Sequence, residues 1–287
     1  MPTIKQLTLI GVGLIGGSLA RALRAAGQVQ EVIGFGRNLA NLQQAVDMGV
    51  VDRIETSMAR AVRDADMLVL AAPVGAMAQV LADMAPHVSD QTVITDVGSV
   101  KGSVVAAARA ALGPHFHHFV PAHPLAGREK SGVAASTADL FRGQRVILTP
   151  VAETNGGALT RVEHMWHATG AETVTLSVAE HDAILAATSH LPHLLAFTLV
   201  DLLAREPAAR RAFDFIGNGF RDMTRIAASD PVMWRDIGLA NRAALLQALG
   251  GYRADLDALA SALERGDAAW LEAFFTRARQ ARRGIDP

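Results

Sequence analysis

The sequence predicts an α/β fold, a doubly wound and mostly parallel sheet, followed by an all-α domain. Three observations predict it. Short apolar runs of β-forming residues alternate with segments of helical spacing up to residue 177, and such alternation builds a parallel sheet. A glycine-rich turn joins the first run to the first helical segment. Beyond Ser177 helical spacing continues and no convincing strand pattern occurs.

The first strand is expected over residues 6–10, where Leu7-Thr8-Leu9-Ile10 meets Gly11. Apolar residues at helical spacing then occupy residues 14–26, and Gly27 stops that helix. The run Val32-Ile33-Gly34-Phe35 completes a βαβ unit. Further strands are expected over 67–71, 92–95, 119–122 and 146–148. Helices are expected over 180–204, 209–228, 231–262 and 267–282, with Asp230 capping the amides ahead of Pro231. These readings divide the chain into domains at 1–177 and 178–287.

The chain has 287 residues, half of them hydrophobic, with 27 basic and 28 acidic side chains and a formal net charge of −1. That balance belongs to a folded protein. It leaves no basic surplus for nucleic acid or an anionic membrane, so no such partner is expected and a small-molecule substrate is. The absence of cysteine excludes disulfides, thiolate nucleophiles and zinc–thiolate sites. The N-terminus lacks the ordered regions of a secretion signal, which points to the cytoplasm. Residues 183–204 carry one charged side chain, Asp201, but also Ser189, His190, Pro192 and His193, which are costly in lipid. A buried helix is expected there rather than a membrane span.

Gly11-Val12-Gly13-Leu14-Ile15-Gly16 has the spacing of a dinucleotide-binding, Rossmann-type turn. Gly11 permits the tight turn, Gly13 lets a pyrophosphate approach the backbone, and Gly16 lets helix and strand pack closely. The helix N-terminus at Leu14 and Ile15 then faces the phosphates. An acidic residue that would bond the adenosine ribose belongs roughly 20 positions further on. Gly36 and Arg37 stand there instead. A missing carboxylate beside a guanidinium favours a 2′-phosphate, so NADP is expected over NAD. If Arg37 is only a solvated loop charge, NAD binds as well.

Three further clusters carry candidate chemistry. Asp96-Val97-Gly98-Ser99-Val100-Lys101 follows a strand, at the sheet edge where ligands sit, so Ser99 is placed to touch nicotinamide or substrate; its structural alternative is a helix cap. His123-Pro124-Leu125-Ala126-Gly127 also follows a strand, and His123 there can take or share a proton near neutral pH. Ser189-His190-Leu191-Pro192-His193 puts two histidines into one apolar helix, which is expensive without a purpose. Arg221 and Arg225 lie one helical turn apart on a face suited to a carboxylate. His115, His117 and His118 lack acidic or cysteine partners at ligand spacing; they read as surface residues, and no metal site is expected.

Together these motifs resemble the prephenate/arogenate dehydrogenase family, and the match covers nearly the whole chain. To those already quoted it adds Gly17-Ser18 after the glycine turn and Phe220-Arg221-Asp222-Met223-Thr224-Arg225-Ile226-Ala227. The resemblance implies a Rossmann domain followed by a helical dimerisation domain, and hence a homodimer. It also implies NAD(P)-dependent oxidative decarboxylation of a cyclohexadienyl acid on the way to tyrosine. Under it His123 is the catalytic histidine, accepting a hydrogen bond from the ring hydroxyl. Ser99 holds hydroxyl and nicotinamide in register, His193 lines the substrate pocket with His190 beside it, and Arg225 grips the side-chain carboxylate. A β-hydroxyacid-type dehydrogenase would want a lysine in the helical domain, and residues 178–287 contain none. A non-catalytic redox sensor would leave His193 and Arg225 without a reason.

Overall fold

The computed structural model describes residues 4–128, 130–205 and 209–285. The chain divides into two compact units, residues 1–241 and 242–287.

The first unit opens with β1 (Ile4–Ile10), α1 (Leu14–Ala25), β2 (Val29–Phe35), α2 (Leu39–Asp47), β3 (Arg53–Glu55) and α3 (Met58–Val62). β4 (Met67–Leu70), α4 (Met77–Met84), β5 (Val93–Asp96), α5 (Gly102–Leu112) and β6 (Phe119–Val120) follow. The strands form one sheet in the order β3-β2-β1-β4-β5-β6, with every pair parallel. β4 and β5 are buried along their whole length because helices cover both faces. Val69 and Val93 point into one core, while Leu68, Leu70 and Ile94 point into the other. Strand order reverses between β1 and β4, the point at which open parallel sheets bind ligands beyond the carboxyl ends of their strands.

The run at 119–122, expected as one strand, is two. Pro121 cannot donate to a ladder, and there the chain leaves the first sheet. β7 (Ala122–Pro124), β8 (Arg145–Leu148), α6 (Gly156–Ala168) and β9 (Glu172–Thr175) follow. The three strands make a second sheet, antiparallel between β7 and β8 and parallel between β8 and β9. Neither β3 nor β9 was expected; both are short, and neither alternates between buried and exposed positions.

A capping box at Ser177 and Glu180 starts α7 (Val178–Leu185). A π-helical turn, Ala186–His190, carries the chain into α8 (Leu191–Arg205). Pro192 explains the turn: its ring lacks an N–H and crowds the carbonyl four residues back, so the ladder resets to a wider spacing. The segment Val178–Arg205 is long and apolar enough to cross a membrane by length and composition, yet only 28% of its most apolar window is buried within the chain. Residues 209–228 are not one helix: Ala209–Phe215 is 3-10, Gly217 interrupts, and α9 (Asn218–Thr224) runs into a 3-10 turn at Arg225–Ala228. Asp230 accepts from the Met233 amide at 2.8 Å and starts α10 (Pro231–Ala240) as expected. The helix expected through residue 262 breaks at Asn241, whose φ of −105° and ψ of 29° leave the helical region.

The second unit consists of α11 (Arg242–Glu264) and α12 (Ala268–Arg283). Gly266, at φ +62°, turns the chain between them, and Asp267 caps α12 through the Trp270 amide at 3.0 Å.

Candidate active site

The glycine turn is built as the dinucleotide motif requires. Gly11 sits at φ +102°, and a Cβ there would lie 2.5 Å from the Ala71 carbonyl oxygen. A Cβ on Gly16 would lie 2.4 Å from the Gly11 carbonyl, so α1 packs against the turn only because none is present. Gly13 has no atom within 4 Å of its would-be Cβ, which leaves its face open to a ligand. No side chain caps α1, so the amides at Leu14, Ile15 and Gly16 are left for an anion. Asn41 of α2 steadies the turn by donating to the Val12 carbonyl at 2.7 Å. Gly36 and Arg37 follow β2 directly, and the Gly11 amide bonds the last carbonyl of that strand, Phe35, at 2.8 Å. Arg37 is exposed there and no carboxylate stands in its place. An open, uncapped, amide-lined turn fits a nicotinamide dinucleotide.

His123 lies in β7, opposite Ile147 of β8, and is 9% exposed. Its Nδ1 shares a hydrogen bond of 2.9 Å with Nε2 of His181, a fully buried residue of α7. Nδ1 of His181 in turn meets the Asp182 carboxylate at 2.8 Å. Asp182 also accepts the Lys101 and Gly102 amides, each at 2.8 Å, and so caps α5 from another element. Ser99 does not cap that helix: α5 starts three residues later, at Gly102. Burial pushes the Asp182 carboxyl upward, but its bonds to His181 and to the two amides more than offset this and hold it below the usual range.

Beneath this chain lies an ion pair with no exposure at all, Lys101 with Asp96. Asp96 also accepts the Gly98 amide at 2.8 Å and the Ala122 amide at 3.1 Å, while Lys101 donates to the Ala122 carbonyl at 2.6 Å. The pair thus ties the end of β5 to the residue before His123. Burial first, and then the Lys101 charge, push the His123 imidazole well below its ordinary pKa, so the ring is neutral at pH 7.

His190, in the π turn, is 1% exposed and accepts from the Asn241 amide nitrogen at 3.1 Å. Burial lowers its pKa to about 4, against a weaker pull upward from Asp182. His193 stacks on Trp234 with ring centroids 3.7 Å apart, and its Nδ1 donates to the Ser189 carbonyl at 2.9 Å. Electrostatic contact runs from His123 to His190, from His190 to His193 and from His193 to Arg225, and the Ser99 backbone lies beside His190. Residues from widely separated stretches therefore meet in one place. Arg225 itself is exposed, at the start of its 3-10 turn. His115 and His118 are half-buried rather than wholly on the surface, and His115 approaches Asp90 at 3.4 Å.

Comparison with known proteins assigns this geometry. Residues 19–175 match the family model of the prephenate dehydrogenase nucleotide-binding domain, and residues 177–277 match that of its dimerization domain. The chain belongs to the prephenate dehydrogenase family. A cyclohexadienyl dehydrogenase of Zymomonas mobilis is 38% identical over 98% of this chain and 96% of its own length. A prephenate dehydrogenase of Bacillus subtilis is 35% identical over 97% of this chain and 76% of its own. The crystal structure of Aquifex aeolicus prephenate dehydrogenase with hydroxyphenyl propionate and NAD+ superposes with a TM-score of 0.92, at 36% identity and 98% coverage of both chains. Both the Rossmann-type fold and the helical segment after it are those of this family.

Several residues of the cluster escaped the motif reading: His181, Asp182, Trp234 and Asn241; Lys101 was quoted within its motif but given no role. Only one left a usable signal. The adjacent pair His181-Asp182 follows a capping box at the start of an apolar helix, where a buried acid needs a partner.

Proposed function

We propose that this chain is a prephenate/arogenate dehydrogenase, oxidatively decarboxylating prephenate to 4-hydroxyphenylpyruvate, arogenate to tyrosine, or both, with NADP preferred over NAD. The observation that carries this reading is the connected series that runs from the buried, neutral His123 imidazole to His190 beside the Ser99 backbone, on to His193 and from there to Arg225. Family membership supports it.

Gly11, Gly13, Gly16 and the amides of Leu14 and Ile15 would hold the pyrophosphate, and Arg37 the ribose 2′-phosphate. When bound, the oxidised nicotinamide supplies the hydride acceptor. His123 is the general base, taking the ring hydroxyl proton at Nε2, since its Nδ1 is engaged by His181. Ser99 holds the hydroxyl in register. His193, fixed against Trp234, lines the ring pocket with His190, and Arg225 binds the side-chain carboxylate. Aromatisation makes loss of carbon dioxide irreversible.

The helical domain is taken as 178–287, and the protein as a cytoplasmic homodimer. Exposed Leu246, Leu249, Leu256 and Leu263 along α11 support pairing with a second copy, which light scattering would read as twice the chain mass. Assays of prephenate and arogenate, each with NADP and NAD, test the reading. Turnover of neither substrate overturns the activity, and a kcat/KM that favours NAD overturns the role of Arg37.

A further inference from the structure

We propose that Asp182 sets the tautomers of two active-site histidines in opposite senses, its side chain acting on His123 and its backbone on His190. His123 then offers a bare Nε2 lone pair, whereas His190 offers an Nε2–H. The substrate half of this inference rests on the activity proposed above; the tautomers rest on hydrogen-bond geometry around two buried, neutral rings.

The first sense runs through His181. The Asp182 carboxylate can only accept, so the proton on the 2.8 Å bond belongs to Nδ1 of His181. A second proton on His181 would leave a fully buried cation facing a carboxylate that already accepts two backbone amides. Its Nε2 is therefore bare, and the proton on the 2.9 Å bond to His123 comes from Nδ1 of His123. The neutral His123 ring has no second proton to place, so Nε2 faces the site as an acceptor.

The second sense runs through Asn241. Its Nδ2 lies 2.9 Å from the Asp182 carbonyl oxygen, which can only accept, and this fixes which way the amide points. The same Nδ2 donates to Nδ1 of His190 at 3.1 Å. A neutral His190 must then hold its proton on Nε2, which is buried beside the Ser99 backbone but outside hydrogen-bond geometry with it.

His123 also stores a proton. A bound oxidised nicotinamide would supply the hydride acceptor, and His123 Nε2 would take the hydroxyl proton while its Nδ1 proton stays on the bond to His181. When the carboxylate leaves as carbon dioxide, its bonding pair enters the ring. His123 then returns the proton to the phenol oxygen, so no net proton is consumed. His181 and Asp182 touch no reacting atom and are positioning residues.

Long-range proton–nitrogen correlation spectra of the full-length protein, 15N-labelled at histidine and without substrate, read the tautomers directly. A bare Nε2 on His123 and a bare Nδ1 on His190 are expected. A protonated Nε2 on neutral His123, or a doubly protonated His181, overturns the proposal. In H181M the His123 tautomer should mix or swap, with kcat falling at least about 100-fold and KM changing less than about threefold. H181Q, whose carbonyl can accept from His123 Nδ1, should recover about tenfold of that loss. Unchanged kcat in H181M overturns the proposal, and if that variant does not fold the wild-type spectrum decides. The spectra need no turnover, so a wrong substrate assignment and a wrong tautomer assignment give different results.

Discussion

Replacing Lys101 by Met removes one half of an ion pair that has no contact with solvent. Asp96 keeps the Gly98 and Ala122 amides but loses its cation, and the Ala122 carbonyl loses its 2.6 Å donor. Breaking a buried pair from one side costs about 3–5 kcal/mol, because the remaining charge stays buried. For a unit of this size each kcal/mol shifts the melting temperature by about 2–4 °C, so Lys101→Met should melt roughly 6–20 °C below the wild type. The double variant Asp96→Asn/Lys101→Met removes the stranded charge and should show a favourable coupling of about 2 kcal/mol in a thermodynamic cycle. Calorimetry and urea unfolding read both quantities. A single variant within about 1 kcal/mol of the wild type, or strictly additive effects, would refute the claim that the pair is a buried charge compensated from both sides. The substitution also has a functional signature. The Lys101 charge helps hold the His123 pKa down, so its loss should move the acid limb of the activity profile to higher pH.

Stability should fall as the pH is lowered from about 6.5 toward about 4. His190 binds a proton more weakly folded than unfolded, so its contribution is complete above 6.5 and is lost on the way down; about 3 kcal/mol rides on this ring, and melting curves of His190→Gln should show a shallower slope. Two glycine variants should separate: Gly13→Ala folds normally, since nothing lies within 4 Å of its Cβ, but raises the cofactor Kd at least about tenfold. Gly16→Ala should instead lose stability, because its Cβ would lie 2.4 Å from the Gly11 carbonyl; equal melting temperatures for the two would contradict this. Among substrate contacts, Arg225→Gln should raise KM more than tenfold, in line with a charge-assisted contact of about 1.5–3 kcal/mol. His123→Asn should instead lower kcat about 100-fold or more while cofactor affinity stays near wild type in titration calorimetry.

Local features of the sequence were readable where one short stretch carries the whole physical reason. The glycine turn is such a stretch: spacing, preceding strand and following helix lie within residues 4–25, and the observed φ of Gly11 and the close approach of Gly16 follow from them. The Asp230-Pro231 helix start and the change to helices after Ser177 were legible for the same reason. The break at Pro121 was missed because a strand of four apolar residues reads alike whether it ends in one sheet or passes to a second. The break at Asn241 was missed because a lone Asn inside an apolar helical pattern is a weak stop signal; its side chain bonds Asp182 and His190, residues 59 and 51 positions away.

By itself, the sequence determined the α/β class, the anion-binding turn, the absence of an acid at Gly36, and which histidines, serine and arginine were worth weighing. Each of these is a property of residue type at short spacing. Only the tertiary structure decided that His123 is neutral, that Asp182 of a distant helix both caps α5 and stands behind His181, and that Lys101 faces Asp96 rather than water. Protonation and hydrogen-bond direction depend on what surrounds a group within a few ångströms. In this chain those surroundings come from β5, β7, α7 and the π turn, which only folding brings together.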